Sequence, residues 1–151
     1  MNQQIISQDH ISKMDILIWR VIKLFIKNKK HILETLNLTC SQFEILSAIH
    51  HLQSIKTDII QAELSEKAGI DPMTTSTILR NLQRKGLITR QRSTVNTRTV
   101  IVGLTKEGIE LLEKAYYQIR LSGELIYKDI NEEYLTSQLI KLSNKLYKLN
   151  F

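Results

Sequence analysis

The chain has 151 residues, with 21 Lys and Arg against 15 Asp and Glu, and it contains one Cys and one Pro. This length suits one ordinary domain with a real core and is too short for two independent domains of typical size. A lone cysteine excludes an intrachain disulfide framework, and without a signal-type segment or a membrane-spanning run we expect a cytoplasmic protein.

The net positive charge lies in one stretch, Pro72 to Lys106, which contains no Asp or Glu. Seven of the 21 basic residues lie there, which leaves 14 against 15 acidic residues in the rest of the chain. Arg and Lys displace counterions from a polyanion, and the Thr, Ser, Asn and Gln between them can hydrogen-bond phosphates or base edges. The stretch therefore predicts a surface that binds nucleic acid.

The first predicted element is a long helix. Met1 to Gln8 is polar and unpatterned, and we expect it to fray. From Ile11 to Leu36 apolar residues recur at helical spacing, and Trp19 and Leu24 lie outside the main stripe. The helix has more apolar surface than a small domain needs, so packing against a partner is its predicted use.

Three shorter helices follow. Thr39 is expected to cap the second helix, with Gln42 returning the hydrogen bond. Asp58 is expected to cap the third helix, which should end at Gly69. The pair Asp71-Pro72 then begins a fourth helix, because Asp caps well and Pro lacks only an amide that would be unpaired at this position. The order is helix, tight turn, helix.

The fourth helix has two different sides, which helical spacing separates. Its apolar side should face the core and comprises Ile78, Leu79 and Leu82. Its polar side comprises Thr74, Thr77, Asn81 and Arg84. Four consecutive Thr and Ser residues have weak helical propensity and nothing to pack against on an exposed side, so docking into a groove would explain them.

A hairpin follows the fourth helix, which Gly86 ends. Ile88 to Arg92 and Thr99 to Leu104 are rich in β-branched residues and are joined by a polar loop. Alternate residues of the second segment should face the core, so the hairpin is expected to pack on one face.

Two helices complete the chain. We expect Thr105 to begin the first, with a less regular tail from Tyr117 to Tyr127. Asn131 should cap the last helix, whose leucines recur at spacings of three and four that nearly match a coiled-coil seam. Apolar stripes at both ends of the chain predict a helical dimer module.

A helix-turn-helix followed directly by a basic hairpin is a winged-helix arrangement, in which one helix enters the major groove and the hairpin lies over the backbone or in a minor groove. Short segments match a family pattern in register from about Leu38 to Gly108. They are Leu38-Thr39, Gln42-Phe43, Leu64 to Ala68, Leu82, Arg84 to Ile88, Arg90 and Leu104 to Gly108. In these segments the chain resembles the MarR family of bacterial transcriptional regulators.

The resemblance implies a mainly α fold with a small β-hairpin wing. It implies an N-terminal dimerisation helix at residues 1–37, a DNA-binding winged helix-turn-helix at 38–108 and C-terminal dimerisation helices at 109–151. A homodimer would bind a pseudo-palindromic operator in double-stranded DNA, with half-sites roughly 34 Å apart. It would act as a repressor that a small apolar or aromatic effector releases, without a cofactor, an enzymatic activity or a membrane partner.

Two parts of the sequence depart from the family pattern. Asn96 stands where the wing usually carries Asp, and because Asn has no charge to hold the basic residues of the wing, a looser wing is expected. Thr77 and Asn81 stand where the fourth helix often has Arg, and Asn81 can pair with adenine through two hydrogen bonds. The expected DNA contacts are Met73, Thr74, Thr77, Asn81, Arg84, Arg90, Arg92, Asn96, Thr97 and Arg98.

Other interpretations remain open. Cys40 falls at the first turn of a helix, where the dipole favours negative charge, so a redox-sensing regulator is an alternative. A winged-helix module that binds an acidic protein is another. Adjacent His50-His51 has the wrong spacing for a metal site, and the sequence has no phosphate loop or catalytic set that would indicate an enzyme.

Overall fold

The structure is a computed structural model that describes residues 11–97 and 99–149. The predicted fraying of Met1 to Gln8 and the predicted DNA contact of Arg98 lie outside these ranges. The chain divides into two units, Met1–Ala115 and Tyr116–Phe151.

Six helices and three strands make up the described part of the chain. The helices are α1 (Lys13–Glu34), α2 (Cys40–Gln53), α3 (Gln61–Ala68), α4 (Pro72–Arg84), α5 (Lys106–Ile126) and α6 (Glu132–Lys148). The strands are β1 (Ile59–Ile60), β2 (Ile88–Arg92) and β3 (Val100–Leu104). The predicted fold class, mainly α with a small β-hairpin, is confirmed.

The sheet is antiparallel with β3 in the centre, in the order β1-β3-β2. The predicted hairpin is formed by β2 and β3, in which Arg90 lies opposite Val102 and Arg92 opposite Val100. Residues that lie opposite each other in an antiparallel pair share one face of the sheet. Arg90 and Arg92 therefore lie on the same face as Val102, which is buried.

The strand β1 was not predicted, and it contradicts the prediction that a helix begins after Asp58. Ile59 and Ile60 pair with Val102 and Ile101 of β3, and α3 begins only at Gln61. The Glu63 carboxylate accepts a hydrogen bond from the Ile60 amide at 3.0 Å, so the cap lies two residues later than expected. A two-residue strand is too short to show the alternation of apolar and polar residues that predicts strands. This strand forms because it pairs with β3, which is distant in sequence.

The predicted irregular tail of α5 is also wrong, because the helix continues to Ile126. Arg120 pairs with Glu124 at 2.5 Å, one helical turn away, and its guanidinium lies 5.4 Å from the centre of the Tyr117 ring. Such pairs at spacings of three and four stabilise a helix that lacks a regular apolar stripe.

Three helices end in the same way, with one residue in the left-handed conformation. These residues are Asn37 after α1, Gly69 after α3 and Gly86 after α4, with φ of 55°, 64° and 72°. The closing hydrogen bonds run from Leu38 to Leu33 (3.0 Å), from Ile70 to Ser65 (3.1 Å) and from Leu87 to Leu82 (3.0 Å). This is the Schellman arrangement, and it confirms the predicted ends at Gly69 and Gly86.

The core of the first unit lies between α2, α3, α4 and the sheet. Its fully buried side chains include Ile45, Leu46, Ile49, Ile59, Leu64, Leu79, Leu82 and Val102. The predicted capping box at the start of α2 is confirmed, since the Thr39 hydroxyl accepts from the Gln42 amide and the Gln42 side chain accepts from the Thr39 amide, both at 3.1 Å. The hydrophobic contacts and caps together fix the second, third and fourth helices.

One junction joins the end of α4, both wing strands and the start of α5; it comprises Gly86, Leu87, Thr105 and Gly108. The Thr105 hydroxyl donates to the Gly86 carbonyl at 2.7 Å and accepts from the Gly108 amide at 3.0 Å. The Thr105 amide donates to the Leu87 carbonyl at 3.1 Å. A methyl group on Gly108 would overlap that carbonyl oxygen and lie 3.0 Å from its carbon.

We therefore expect Gly108→Ala to destabilise the protein strongly. The added methyl meets backbone that hydrogen bonds hold in place, and such overpacking costs about 1 to 3 kcal/mol or more. Gly123→Ala, in the same helix, is the matched control, because its methyl meets only the Tyr127 ring at an ordinary 3.5 Å. This change should leave stability unchanged or raise it by up to about 1 kcal/mol.

Urea unfolding followed by circular dichroism measures both variants. Equal midpoints for the two alanine variants would show that the close approach of Gly108 to the Leu87 carbonyl does not affect stability.

Candidate nucleic-acid interface

The turn between α3 and α4 is held at the Ile70 carbonyl. The Ser65 hydroxyl donates to this oxygen at 2.5 Å and the Thr75 hydroxyl at 3.3 Å. Thr75 is fully buried. One of the four consecutive Thr and Ser residues thus belongs to the core and not to the exposed polar side, because its hydroxyl has a partner inside the turn.

The first helix of the pair, α3, is fixed at its start by Glu63. The Lys56 ammonium and the Ile60 amide both donate to its carboxylate. The hydrogen bond from Lys56, and then that from Ile60, lowers the pKa of Glu63 below its usual range. The carboxylate therefore stays charged at neutral pH and closes the N-terminus of the helix.

The second helix, α4, begins as predicted. Asp71 accepts a hydrogen bond from the Thr74 amide at 2.9 Å, and Pro72 occupies the first turn. Hydrogen bonds from the Thr74 side chain and amide lower the pKa of Asp71. An ionised cap and a pre-set backbone angle at Pro72 favour the same start.

The exposed side of α4 carries the predicted polar residues. Met73, Thr74, Thr77 and Arg84 are exposed, with Met73 81% exposed, and Asn81 is half-buried. The Thr77 hydroxyl donates to the Met73 carbonyl at 3.2 Å, and the Arg84 guanidinium donates to the Asn81 side-chain oxygen. These contacts lie within the exposed side, so the polar groups orient one another and stay open to solvent.

The wing consists of β2, β3 and the loop of residues 93–99. Arg92 is exposed on β2, and Asn96 and Thr97 are exposed in the loop. The Ser93 hydroxyl accepts from the Val95 and Asn96 amides, each at 3.2 Å, and the Ser93 amide donates to the Thr99 carbonyl at 2.9 Å. The loop is thus closed by its own backbone around Ser93.

Arg90 differs from Arg92 although both lie on β2. It is half-buried, and its guanidinium donates to the Gln61 side chain at the start of α3 at 3.3 Å. Its Nε is buried and has no hydrogen-bond partner among the described residues. Part of this guanidinium is therefore engaged inside the first unit, and only the rest is available to a ligand.

Several basic residues of the acid-free stretch already have contacts within the protein. The Lys85 ammonium donates to the Asn37 carbonyl at 2.7 Å, and Lys106 lies 3.9 Å from the Glu110 carboxylate. Arg80 is a further exposed cation of α4, and it donates to the Thr77 hydroxyl at 3.2 Å. Its spacing of three from Thr77 is the signal that identifies it as a member of the polar side.

Cys40 and potential metal ligands are candidates outside α4 and the wing. Cys40 is a free, half-buried thiol in the first turn of α2. Within residues 11–97 and 99–149, no three His, Cys, Asp or Glu side chains lie together as potential metal ligands. In the same ranges, no helix has both the length and the apolar character needed to cross a bilayer.

Comparison with known proteins identifies relatives of this chain. The model of the MarR family matches residues 38–100. The HTH-type transcriptional regulator YhbI of Bacillus subtilis (strain 168) is 30% identical over 118 residues, which cover 78% of this chain and 73% of YhbI. The organic hydroperoxide resistance transcriptional regulator of the same organism is 33% identical over 91 residues, which cover 59% of this chain and 58% of that protein.

Solved structures share the fold. The complex of Staphylococcus aureus MepR with DNA has a TM-score of 0.78 at 24% identity and covers 93% of this chain and 100% of its own. The transcriptional repressor CouR, bound to a 23-mer DNA duplex, has a TM-score of 0.75 at 21% identity and covers 86% of this chain and 89% of its own. At these identities the likeness shows the winged-helix fold.

Proposed function

The chain belongs to the MarR family of transcriptional regulators, and we propose that it is a homodimeric, ligand-responsive repressor that binds a pseudo-palindromic operator in duplex DNA. The observation that carries the proposal is α4, whose ends and apolar side are fixed by other residues while its polar side stays open. Helices that read base edges in the major groove need such a side.

The helix and the wing have different tasks in this proposal. α4, hereafter the recognition helix, enters the major groove and reads base edges through Thr74, Thr77 and Asn81, with Met73 and Arg84 at its margins. The wing supplies backbone contacts, which are less dependent on sequence. Its contacts are Arg90, Arg92, Asn96, Thr97 and Arg98.

Homodimer formation is supported by apolar side chains that have no cover in one chain. Leu33 is the only buried residue of α1, whereas Trp19 is 64% exposed and Leu24 59% exposed. None of the residues of α6 is buried, although its leucines recur at spacings of three and four. Monomeric soluble proteins rarely expose apolar patches of this extent.

The uncovered apolar sides of α1 and α6 and the polar side of α4 support different roles for different parts of the chain. We assign dimerisation to residues 1–37 and 109–151, and DNA binding to residues 38–108. Symmetric association is the usual solution for a helix with an uncovered apolar side, and it places two recognition helices about one turn of DNA, roughly 34 Å, apart.

Repression and release by a ligand complete the proposal. MepR is described as a regulator of a multidrug efflux pump and CouR as a transcriptional repressor. A small apolar or aromatic effector would release the operator if it bound more tightly to a dimer whose recognition helices are wrongly spaced for DNA. A second candidate is control by oxidation at Cys40, favoured by the relative that is named for organic hydroperoxide resistance.

Selection of bound sites from random duplex DNA by the purified full chain tests the function. We expect a two-fold symmetric motif with half-sites about one helical turn apart, because a symmetric dimer reads a symmetric site. A single unrepeated half-site would contradict the homodimer. Enrichment of no site would contradict DNA recognition and favour a module that binds an acidic protein.

Asn81→Ala should relax the sequence preference at one position of each half-site. Loss of a side chain that pairs with one base removes about 1 to 3 kcal/mol of discrimination there. Competition binding with single-base variants of the selected site measures this effect. An equal loss of affinity on every duplex would assign Asn81 to a phosphate contact.

Arg92→Ala should weaken binding to specific and random duplexes alike and should reduce the slope of log affinity against log salt by about 0.9, the value for one phosphate contact. Arg90→Ala is the matched comparison on the same strand. Its slope should fall less, because part of the Arg90 guanidinium already bonds to Gln61. A larger effect of Arg90 than of Arg92 on the salt slope would reverse this assignment.

A further inference from the structure

We propose that Lys85 is a positioning residue, which fixes the recognition helix against the C-terminal end of α1 and so sets the spacing of the two recognition helices in the dimer. Its effect on DNA rests on the proposed function, whereas its contact with α1 does not. Lys85 belongs to the acid-free stretch and would otherwise be counted among the cations that face phosphates.

Lys85 is exposed, and its ammonium contacts the turn between α1 and α2. Its ammonium donates to the Asn37 carbonyl at 2.7 Å and lies 3.4 Å from the Gln42 side-chain oxygen. Asn37 is the left-handed residue that closes α1, and Gln42 belongs to the capping box that opens α2. One cation thus reaches the turn between α1 and α2 from a position 48 residues further along the chain.

The electrostatics of the site favour a cation. Lys85 follows the last residue of the recognition helix, and Asn37 lies just beyond the end of α1. The C-terminal ends of helices carry partial negative charge on carbonyls without helical partners. Lys85 is the residue at which the recognition helix ends, and its ammonium bonds a backbone carbonyl in the turn that follows α1.

Gln42 makes this contact specific. Its side chain is buried, and its Oε1 accepts from the Thr39 amide at 3.1 Å as well as facing Lys85. A buried side chain held by a capping box has little freedom to move. Lys85 is consequently attached to a rigid part of the turn.

The rest of the attachment of α1 to the first unit is limited. Leu33 is the one residue of α1 that is buried, and Lys29 pairs with Glu44 of α2 at 2.5 Å while lying 4.8 Å from the centre of the Phe43 ring. These contacts join α1 to α2. The contact of Lys85 instead joins the turn between α1 and α2 to the end of the recognition helix.

The consequence follows from the geometry of a dimer. If α1 packs against its partner copy, the position of each recognition helix relative to its own α1 determines the distance between the two recognition helices. Without the Lys85 contact, the recognition helix and the helices packed on it can rotate relative to α1 about the turn at Asn37. The dimer then samples several spacings, and only a fraction of the population fits the operator.

The first experiment needs no DNA. Two spin labels, at His31→Cys on α1 and Thr77→Cys on the recognition helix, are introduced in a Cys40→Ser background, and labelled chain is diluted with unlabelled chain. The chain has a single native cysteine, so the labels go only to the chosen positions. Electron–electron double resonance then measures the distance between α1 and the recognition helix in one protomer.

We expect Lys85→Met to broaden or shift this distance distribution. Lys85→Arg should restore the wild-type distribution, because a guanidinium can also donate to the Asn37 carbonyl. Arg84→Met is the matched control, since it removes the neighbouring cation and should leave the distribution unchanged. An unaltered distribution in Lys85→Met would overturn the proposal.

The second experiment measures binding to the selected site and to versions with one base pair inserted or deleted between the half-sites. Lys85→Met should lose about tenfold in affinity at the selected spacing and less at the altered spacings, with the wild-type salt slope. An equal loss at every spacing, with a lower slope, would assign Lys85 to a phosphate and overturn the proposal. If the wild-type chain selects no site, the proposed function fails, and the distance measurement alone decides the contact between Lys85 and α1.

Discussion

The junction at Gly86, Leu87, Thr105 and Gly108 is the constraint on which the arrangement of the recognition helix and the wing depends. Two carbonyls, from Gly86 and Leu87, accept hydrogen bonds from Thr105, and the absence of a side chain at Gly108 lets α5 begin against them. The wing therefore starts and finishes at one point. Because the same point ends the recognition helix, the wing and that helix cannot move independently at their common base.

Most helix boundaries follow from local signals that can be read in the sequence. A capping box at Thr39, the pair Asp71-Pro72 and left-handed glycines at Gly69 and Gly86 each act within a few residues, so their geometry follows from the residue types. The β1 strand escapes this kind of prediction. Its two isoleucines form a strand only because β3, some 40 residues later, lies beside them. Within the continuation of α5, Arg120 pairs with Glu124 and contacts the Tyr117 ring, at spacings of four and three.

The candidate site could be predicted only in part, because the sequence shows the cations but not their partners in the folded chain. Their number and the absence of acids are visible in the sequence, but the partners of each cation depend on the tertiary structure. Lys85 bonds a carbonyl from a turn far away in the chain, and Arg90 bonds Gln61. Net charge therefore does not show which cations already have a partner within the protein, whereas helical spacing separated the exposed side of the recognition helix from its buried side, except at Thr75.

The recognition helix has 13 residues and is about 20 Å long. The residues that fix its ends and its packing are not the residues on its exposed polar side. Asp71 and Pro72 start it, Gly86 ends it, and the buried side anchors it to the core. Exchange of Thr77 or Asn81 thus leaves folding largely intact. Under the proposed function such a helix is evolvable: after gene duplication, a copy can acquire a new operator preference through a few exposed substitutions while the scaffold beneath stays the same.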